Sequence, residues 1–303
     1  MNENQVEDTI NFITNDLIPE IVYNRCFCER GSREFIEFDS IVVEPLKIIE
    51  VKNYSEIYRG KLIIKFSGEA KLFHVIIKLL QKNLIDNEEA FGCFLNEEMF
   101  YNKIISEYKL FDNYPKCYVA DMGKYGRPVI VLEDLEAIGY LYYSQGLLDD
   151  DHLKLCLIEI AKFHAFGVKL KKNKFDKFRE FYAKIIEINS ELINTPLILN
   201  KKLEIAFGNI EKNINEMTLC HGEFNNNHLA FLYDKCKPIA VKIFGWNKIK
   251  HTSPIIDLKC ILNNNLMTKT SECENKIESI KNIECIEKYI NFYYTAYINE
   301  LNK

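Results

Sequence analysis

Apolar residues recur at helical spacing from Asp8 to about Val22, through Ile10, Phe12, Ile13, Leu17 and Ile21, and predict an opening helix that Pro19 weakens late. The spacing then changes to alternation in Phe35-Ile36-Glu37-Phe38, Ser40-Ile41-Val42-Val43, Ile57 to Ile64 and His74 to Lys78, which three antiparallel strands would account for. Helical spacing returns between Glu88 and about Tyr108, where Phe91, Phe94, Leu95, Met99, Ile104 and Ile105 can share a broad face. Two more strands are read in Lys116 to Ala120 and Pro128 to Leu132. Beyond Gly139 the pattern becomes long and helical, at Asp149 to Lys169, Lys177 to about Ile193 and Asn200 to about Ile214. A β-rich island follows at Leu219-Cys220-His221, Leu229 to Leu232 and Ile239 to Phe244. Ser253-Pro254 then reads as an N-cap with proline in the first helical turn, and a last helix runs from about Glu284 to Leu301. The asparagine triplets at Asn225 and Asn263 are too short for low-complexity tracts and suggest loops.

This order divides the chain into a strand-rich part, residues 1–135, and a mainly helical part, residues 136–303. A length of 303 residues with 48% hydrophobic content can bury a sizeable core. The net charge of −5 leaves no broad basic field for a phosphate backbone, so no nucleic-acid partner is expected. The densest basic patch, Lys169, Lys171, Lys172, Lys174, Lys177 and Arg179, directly follows a helical pattern and reads as a solvated helix end. The run at Val75-Ile76-Ile77 is stopped by Lys78, well short of the roughly 20 residues that cross a bilayer, so no membrane span is expected. The polar, acidic start of the chain lacks the features of a secretory leader, and the expected location is cytoplasmic. The 10 cysteines show no Cys-x-x-Cys spacing and read as free thiols in a reducing compartment.

Several separated segments together carry a resemblance. They are Asn53-Tyr54-Ser55 before a strand holding Tyr58-Arg59, Lys78 in an apolar strand, Phe94-x-x-Glu97-x-x-x-Tyr101, Leu132-Glu133-Asp134-Leu135 with Gly139-Tyr140, Ala161-Lys162-Phe163-His164-Ala165, Cys220-His221-Gly222, and Ser253-Pro254-x-x-Asp257-Leu258. In this order they resemble the ecdysteroid kinase-like family of insects, also described as choline-kinase-like. The resemblance implies an α+β fold class, the two-lobed protein-kinase-like fold of the aminoglycoside phosphotransferase type, with a five-stranded antiparallel N-lobe sheet and a mainly helical C-lobe. It implies that Lys78 touches nucleotide phosphates and that Glu97 pairs with it. It places Asn53 and Ser55 at the phosphate-covering turn, and Glu133 and Leu135 at the crossover that meets an adenine ring. His164 reads as a packed histidine, His221 as a brace of its turn, and Asp257 as a cap on the loop. The family continues beyond the helix holding Phe292, Tyr293, Tyr294 and Tyr297, so the acceptor side is expected to be shortened, with that aromatic helix a candidate partner surface.

Four departures bear on chemistry. Val51-Lys52-Asn53 has no glycine where backbone amides would approach phosphate. Glu223 stands where the resemblance implies the catalytic aspartate; the added methylene shifts the carboxylate by about an ångström, an error that can cost roughly a hundredfold in rate. His228 replaces an amide that would hold Mg²⁺, an ion that prefers oxygen. Gly245 stands in place of the metal-binding aspartate and offers no ligand atom. ATP is thus retained as a candidate cofactor and Mg²⁺ is disfavoured. Three readings stay open: a pseudokinase that binds a small molecule or a protein, an active ATP-dependent kinase for a small-molecule hydroxyl such as that of an ecdysteroid with Glu223 as proton acceptor, and a structural or interaction protein.

Overall fold

The computed structural model describes residues 3–46, 54–143, 146–188, 216–266 and 276–303. Two compact units divide the chain, Met1–Asn102 with Pro115–Ile138, and Lys103–Tyr114 with Gly139–Lys303.

The first unit opens with α1 (Glu3–Phe12), a wide π-turn at Ile13–Leu17 and α2 (Ile18–Tyr23). The π-turn lets the helical path continue into the segment holding Pro19, since Ile18 N–H donates to Ile13 O and the proline falls in the first turn of α2. Its strands are β1 (Ile36–Pro45), β2 (Ser55–Phe66), β3 (Glu69–Leu80), β4 (Cys117–Asp121) and β5 (Val129–Glu133). They form one antiparallel sheet in the order β1-β2-β3-β5-β4, as expected. The segments at Phe35 and Ser40 belong to the single strand β1, because a register shift between Phe38 and Ser40 changes the phase of the alternation. Strand β5 lies inside the sheet and Val129 to Leu132 are all buried, which explains a continuous apolar run in place of alternation.

Side chains of alternate residues on β3 face opposite ways. Val75, Ile77 and Leu79 join Ile13, Leu17, Ile18, Ile21, Val22, Tyr58, Leu62 and Val131 in the core under α1 and α2. Lys78 therefore faces the other side, toward α3 (Glu88–Met99). Helix α3 starts where the sequence places it, because Asn87 accepts a hydrogen bond from Ala90 N at 2.8 Å. A second π-turn at Phe100–Ile104 separates it from α4 (Ile105–Tyr108).

The second unit is built on α5 (Asp150–Asn173), capped by Asp149, which accepts from the amides of Asp151 and His152. Cys156, Leu157, Ile160, Phe163, His164 and Val168 are buried along it. Around it lie α6 (Phe175–Tyr182), α7 (Ile255–Leu266) and α8 (Lys276–Asn302). Two small sheets complete the unit: β6 (Tyr140–Tyr142) with β8 (Leu229–Asp234) and β9 (Lys237–Ile243), and β7 (Thr218–Cys220) with β10 (Lys250–Thr252). The helix expected from Lys177 ends at Tyr182, and the one expected from Asn200 to Ile214 lies outside the described residues. The triplet at Asn263 sits inside α7 and not in a loop; Asn265 overrides its low helix propensity by exchanging side-chain hydrogen bonds of 2.9 and 2.8 Å with Asn226. The aromatic helix α8 turns Tyr293 and Tyr297 into the core. Among the described residues no disulfide joins the cysteines, and no helix is long and apolar enough to cross a membrane.

Candidate functional site

In the first unit Lys78 Nζ lies 2.5 Å from Glu97 Oε2 and 5.3 Å from the centre of the Phe94 ring. Glu97 is buried and Lys78 nearly so, which makes the pair an anchored charge rather than a surface contact. Ser55 opens β2 and is buried opposite Leu80; Asn53, with the rest of the turn at Val51 and Lys52, lies outside the described residues. Glu133 closes β5, its N–H donating to Lys116 O, and Leu135 is buried at the start of a 3-10 turn. Sequence reasoning gave Arg59 no task. Its guanidinium stands 2.8 Å from buried Asp134 and 2.5 Å from Glu136, locking β2 onto the turn that follows β5.

In the second unit the loop His221-Gly222-Glu223 is held from beneath by Asp257 of α7. One carboxylate oxygen accepts from Gly222 N at 2.9 Å, the other from His221 N at 2.7 Å and His164 Nε2 at 3.0 Å. The ring of His164 is fixed in turn by Tyr293, whose hydroxyl lies 2.8 Å from Nδ1. All four side chains of this chain of contacts, including His221, are fully buried. His164, Asp257 and Cys220 cluster closely enough to suggest a metal group, but the carboxylate oxygens are already engaged by the loop amides and the histidine. Burial pushes the Asp257 carboxyl upward, and the hydrogen bond from His164, the electrostatic influence of His164 and His221 and the amide of Gly222 outweigh it and hold it below the usual range. Gly222 adopts φ +84°, and a Cβ placed there would lie 2.0 Å from Lys248 O, so only glycine fits the turn.

His221 braces the turn as expected: Nε2–H donates to Phe244 O at 3.0 Å and Nδ1 accepts from Glu223 N at 3.3 Å. These roles require a neutral ring. Burial first, and then the nearby His228, lower its pKa from 6.5 to about 4. A folded pKa below the unfolded one means that the unfolded chain binds the proton more readily. Stability is therefore complete above pH 6.5 and falls as the pH drops toward 4, by about 3 kcal/mol over that window. Urea unfolding at pH 7 and pH 4.5 should show this slope, and His221→Asn, which cannot titrate, should flatten it.

The surroundings of Glu223, His228 and Gly245 differ from expectation in two ways that sequence spacing could not reveal. Glu223 Oε1 is taken by Lys248 Nζ at 2.7 Å, and both groups remain partly exposed, so the pair contributes only about 0–1 kcal/mol. The one sequence signal for Lys248 is a cation three residues past Gly245. The second finding concerns His228, whose Nδ1 hydrogen-bonds Glu223 O at 2.9 Å, turning the ring toward Gly245. A Cβ on Gly245 would sit 2.4 Å from His228 Cδ2 and 2.8 Å from Nε2, and the residue holds φ +77°. The imidazole thus fills the room that any side chain at position 245 needs. Mg²⁺ requires several hard oxygen ligands near 2.1 Å in octahedral order. A carboxylate already paired with an ammonium, an imidazole and a bare glycine do not fit it. Asn227 is exposed, and its backbone N–H donates to Asn225 Oδ1 to shape the short turn there. Trp246 is buried against Phe163, Tyr114 and His221 and fixes the turn after β9.

The basic patch is engaged locally. Lys172 pairs with Glu216, Lys174 with Glu107 and Lys177 with Glu180, while Lys169 and Lys171 donate to the carbonyls of Glu300 and Met217.

Residues 51–195 match the model of the ecdysteroid kinase-like family, so the resemblance read from the sequence is borne out over that stretch. The expected α+β class with its antiparallel five-stranded sheet also holds. The chain is similar to solved kinase structures at low identity. A structure of an amicoumacin kinase in complex with AMP-PNP, Ca²⁺ and Ami is 11% identical, with 99% of this chain and 78% of that one covered and a TM-score of 0.48. The choline kinase LicA of Streptococcus pneumoniae is 15% identical over 88% of each chain, TM-score 0.38. An ethanolamine kinase of Plasmodium vivax is 14% identical, covering 85% of this chain and 73% of its own, TM-score 0.39. No curated protein matches the sequence.

Proposed function

We propose, from the premise that residues 51–195 are ecdysteroid kinase-like, that this protein is a pseudokinase which acts by binding a small molecule or a protein partner and transfers little or no phosphate. The observation that supports this reading most directly is the His228 ring standing where a side chain at position 245 would have to go. Phosphoryl transfer leans on divalent ions to neutralise charge on the moving group, so a centre that refuses their ligands loses the largest source of transition-state stabilisation. The carboxylate of Glu223 compounds the loss: bonded to Lys248, it is a weaker acceptor for a hydroxyl proton than an unpaired carboxylate. Each unit keeps an ordered polar feature that a binding role can use: Lys78 fixed by Glu97 in the first, and the loop fixed by Asp257 in the second.

The intact Lys78–Glu97 pair favours a second reading, a slow ATP-dependent kinase acting on a small-molecule hydroxyl with Glu223 as proton acceptor. The two separate in one assay. Radiolabelled ATP with Mg²⁺ or Mn²⁺, offered ecdysteroids, other hydroxylated lipids and choline analogues, should give no product above a Lys78→Ala control. Robust metal-dependent turnover that this substitution abolishes would reject the pseudokinase reading and establish the second.

A further inference from the structure

The position beside Glu223 that has no metal ligands does have a positive charge. Lys248 closes the short turn Trp246–Lys248 directly after Gly245, and its backbone is fixed on two sides. Trp246 is buried beneath it, with Ile249 N–H donating back to Trp246 O, and Lys248 O lies where a Cβ of Gly222 would otherwise be. The side chain leaves this rigid turn to meet Glu223 at 2.7 Å and stays about one fifth exposed. A lysine ammonium has three donors and acts on phosphate as a point charge. One of its N–H groups reaches Glu223, and the other two are available to a ligand that approaches from solvent. The neighbouring His228 Nδ1 is spent on Glu223 O, and the second lysine beside the loop, Lys250, packs its Cε 2.9 Å from where a Cβ of Gly222 would lie, so the ammonium that meets Glu223 is that of Lys248.

We propose that Lys248 is the built-in cation of this site, receiving a phosphate-bearing ligand of the nucleoside triphosphate class in its metal-free form. The inference rests on the pseudokinase reading and specifies the ionic form of the ligand. A tethered ammonium beside an imidazole and a glycine repels a divalent ion and offers it no oxygen shell beyond a carboxylate it already neutralises. The metal-free triphosphate carries two more negative charges than its Mg²⁺ complex and is the better partner for a single fixed cation. Magnesium should therefore compete with the protein for the ligand, the reverse of its role in a working kinase. Glu223 acts here as a latch that the ligand must displace in part, so removing its charge should improve binding.

Calorimetric titration of ATP into the full chain, once in EDTA and once in excess Mg²⁺, tests this. Binding is expected in EDTA and should weaken about tenfold with Mg²⁺. Lys248→Met should weaken the metal-free binding about tenfold and remove the Mg²⁺ sensitivity, Lys248→Arg should retain both, and Glu223→Gln should tighten binding. A circular dichroism melt confirms that each variant is folded, which the partial exposure of both side chains favours. ATP that binds more tightly with Mg²⁺, that binds in neither buffer, or that ignores Lys248→Met overturns the inference. The phosphotransfer assay is read separately: a chain without turnover whose ATP binding still requires Mg²⁺ rejects the role of Lys248 alone, whereas metal-dependent turnover rejects the underlying reading.

Discussion

Asp257→Ala is expected to cost the second unit about 4 kcal/mol and to release the His221-Gly222-Glu223 loop. The carboxylate is fully buried and accepts three hydrogen bonds, from His221 N, Gly222 N and His164 Nε2. Alanine would leave two buried backbone donors and one buried ring donor without an acceptor, and each unmet group costs about 1–3 kcal/mol. Water can repay part of that sum, which is why the expectation lies below the simple total. Asn at the same place keeps one acceptor but points an amide at the remaining donors, so Asp257→Asn should fall between the two. Urea denaturation gives the stability, and amide hydrogen exchange at His221 and Gly222 gives the local effect. The carboxyl also predicts an acid limit. A folded pKa held below the unfolded value means stability that is present above about pH 4 and lost as the pH falls through the depressed folded value. This acid loss should vanish in Asp257→Ala, beyond the slope that His221 contributes at higher pH. A loss under 1 kcal/mol in the alanine variant would show that Asp257 does not carry the loop.

Much of the scaffold was legible in the sequence because its information is local. The alternation of Ile57 to Ile64 is the core-facing rhythm of β2, and the Ser253-Pro254 pair does begin a helix, with Ile255 N–H donating to Ser253 Oγ. The resemblance implied the pairing of Lys78 with Glu97, and the two side chains do meet between β3 and α3, at 2.5 Å. The resemblance placed Glu223, His228 and Gly245 at one centre, and the structure brings these three together. What escaped the sequence was contact between side chains far apart in the chain. Asp257 was expected as a cap on the loop and does accept from its amides, but its link through His164 to Tyr293, across 93 and 129 residues, is beyond any spacing rule. Tyr293 in particular belongs to a helix whose aromatic residues suggest a partner surface until burial shows which of them face inward. Lys248 looked like any turn lysine, since only the fold reveals that its ammonium ends at Glu223. The short strands β6 and β10, of three residues each, were also missed, being too brief for a pattern of period two to stand out.

Two of the departures at the reacting centre are one event in space, and their coupling can be measured. Gly245→Asp alone is expected to destabilise the protein by about 3 kcal/mol. Its Cβ would fall 2.4 Å from His228 Cδ2, closer than real Cβ atoms approach a neighbour, and overpacking of this kind costs about 1–3 kcal/mol. The left-handed backbone at φ +77° adds about 1 kcal/mol for a residue with a side chain, though aspartate tolerates it better than most. His228→Asn alone should cost about 1 kcal/mol, because the shorter side chain gives up the ring contacts with His221 and Phe244 while its amide can still donate to Glu223 O. Together the substitutions should cost at least 1 kcal/mol less than the sum of the two, since the smaller amide vacates the space that the carboxylate needs. The same double variant regains two oxygen ligands, so adding Mg²⁺ to ATP should raise its melting temperature above that with ATP alone, whereas in the parent the same addition should lower it. Additivity within about 0.5 kcal/mol would mean that the ring moves aside freely, and the centre would then be open to a metal after only one further change.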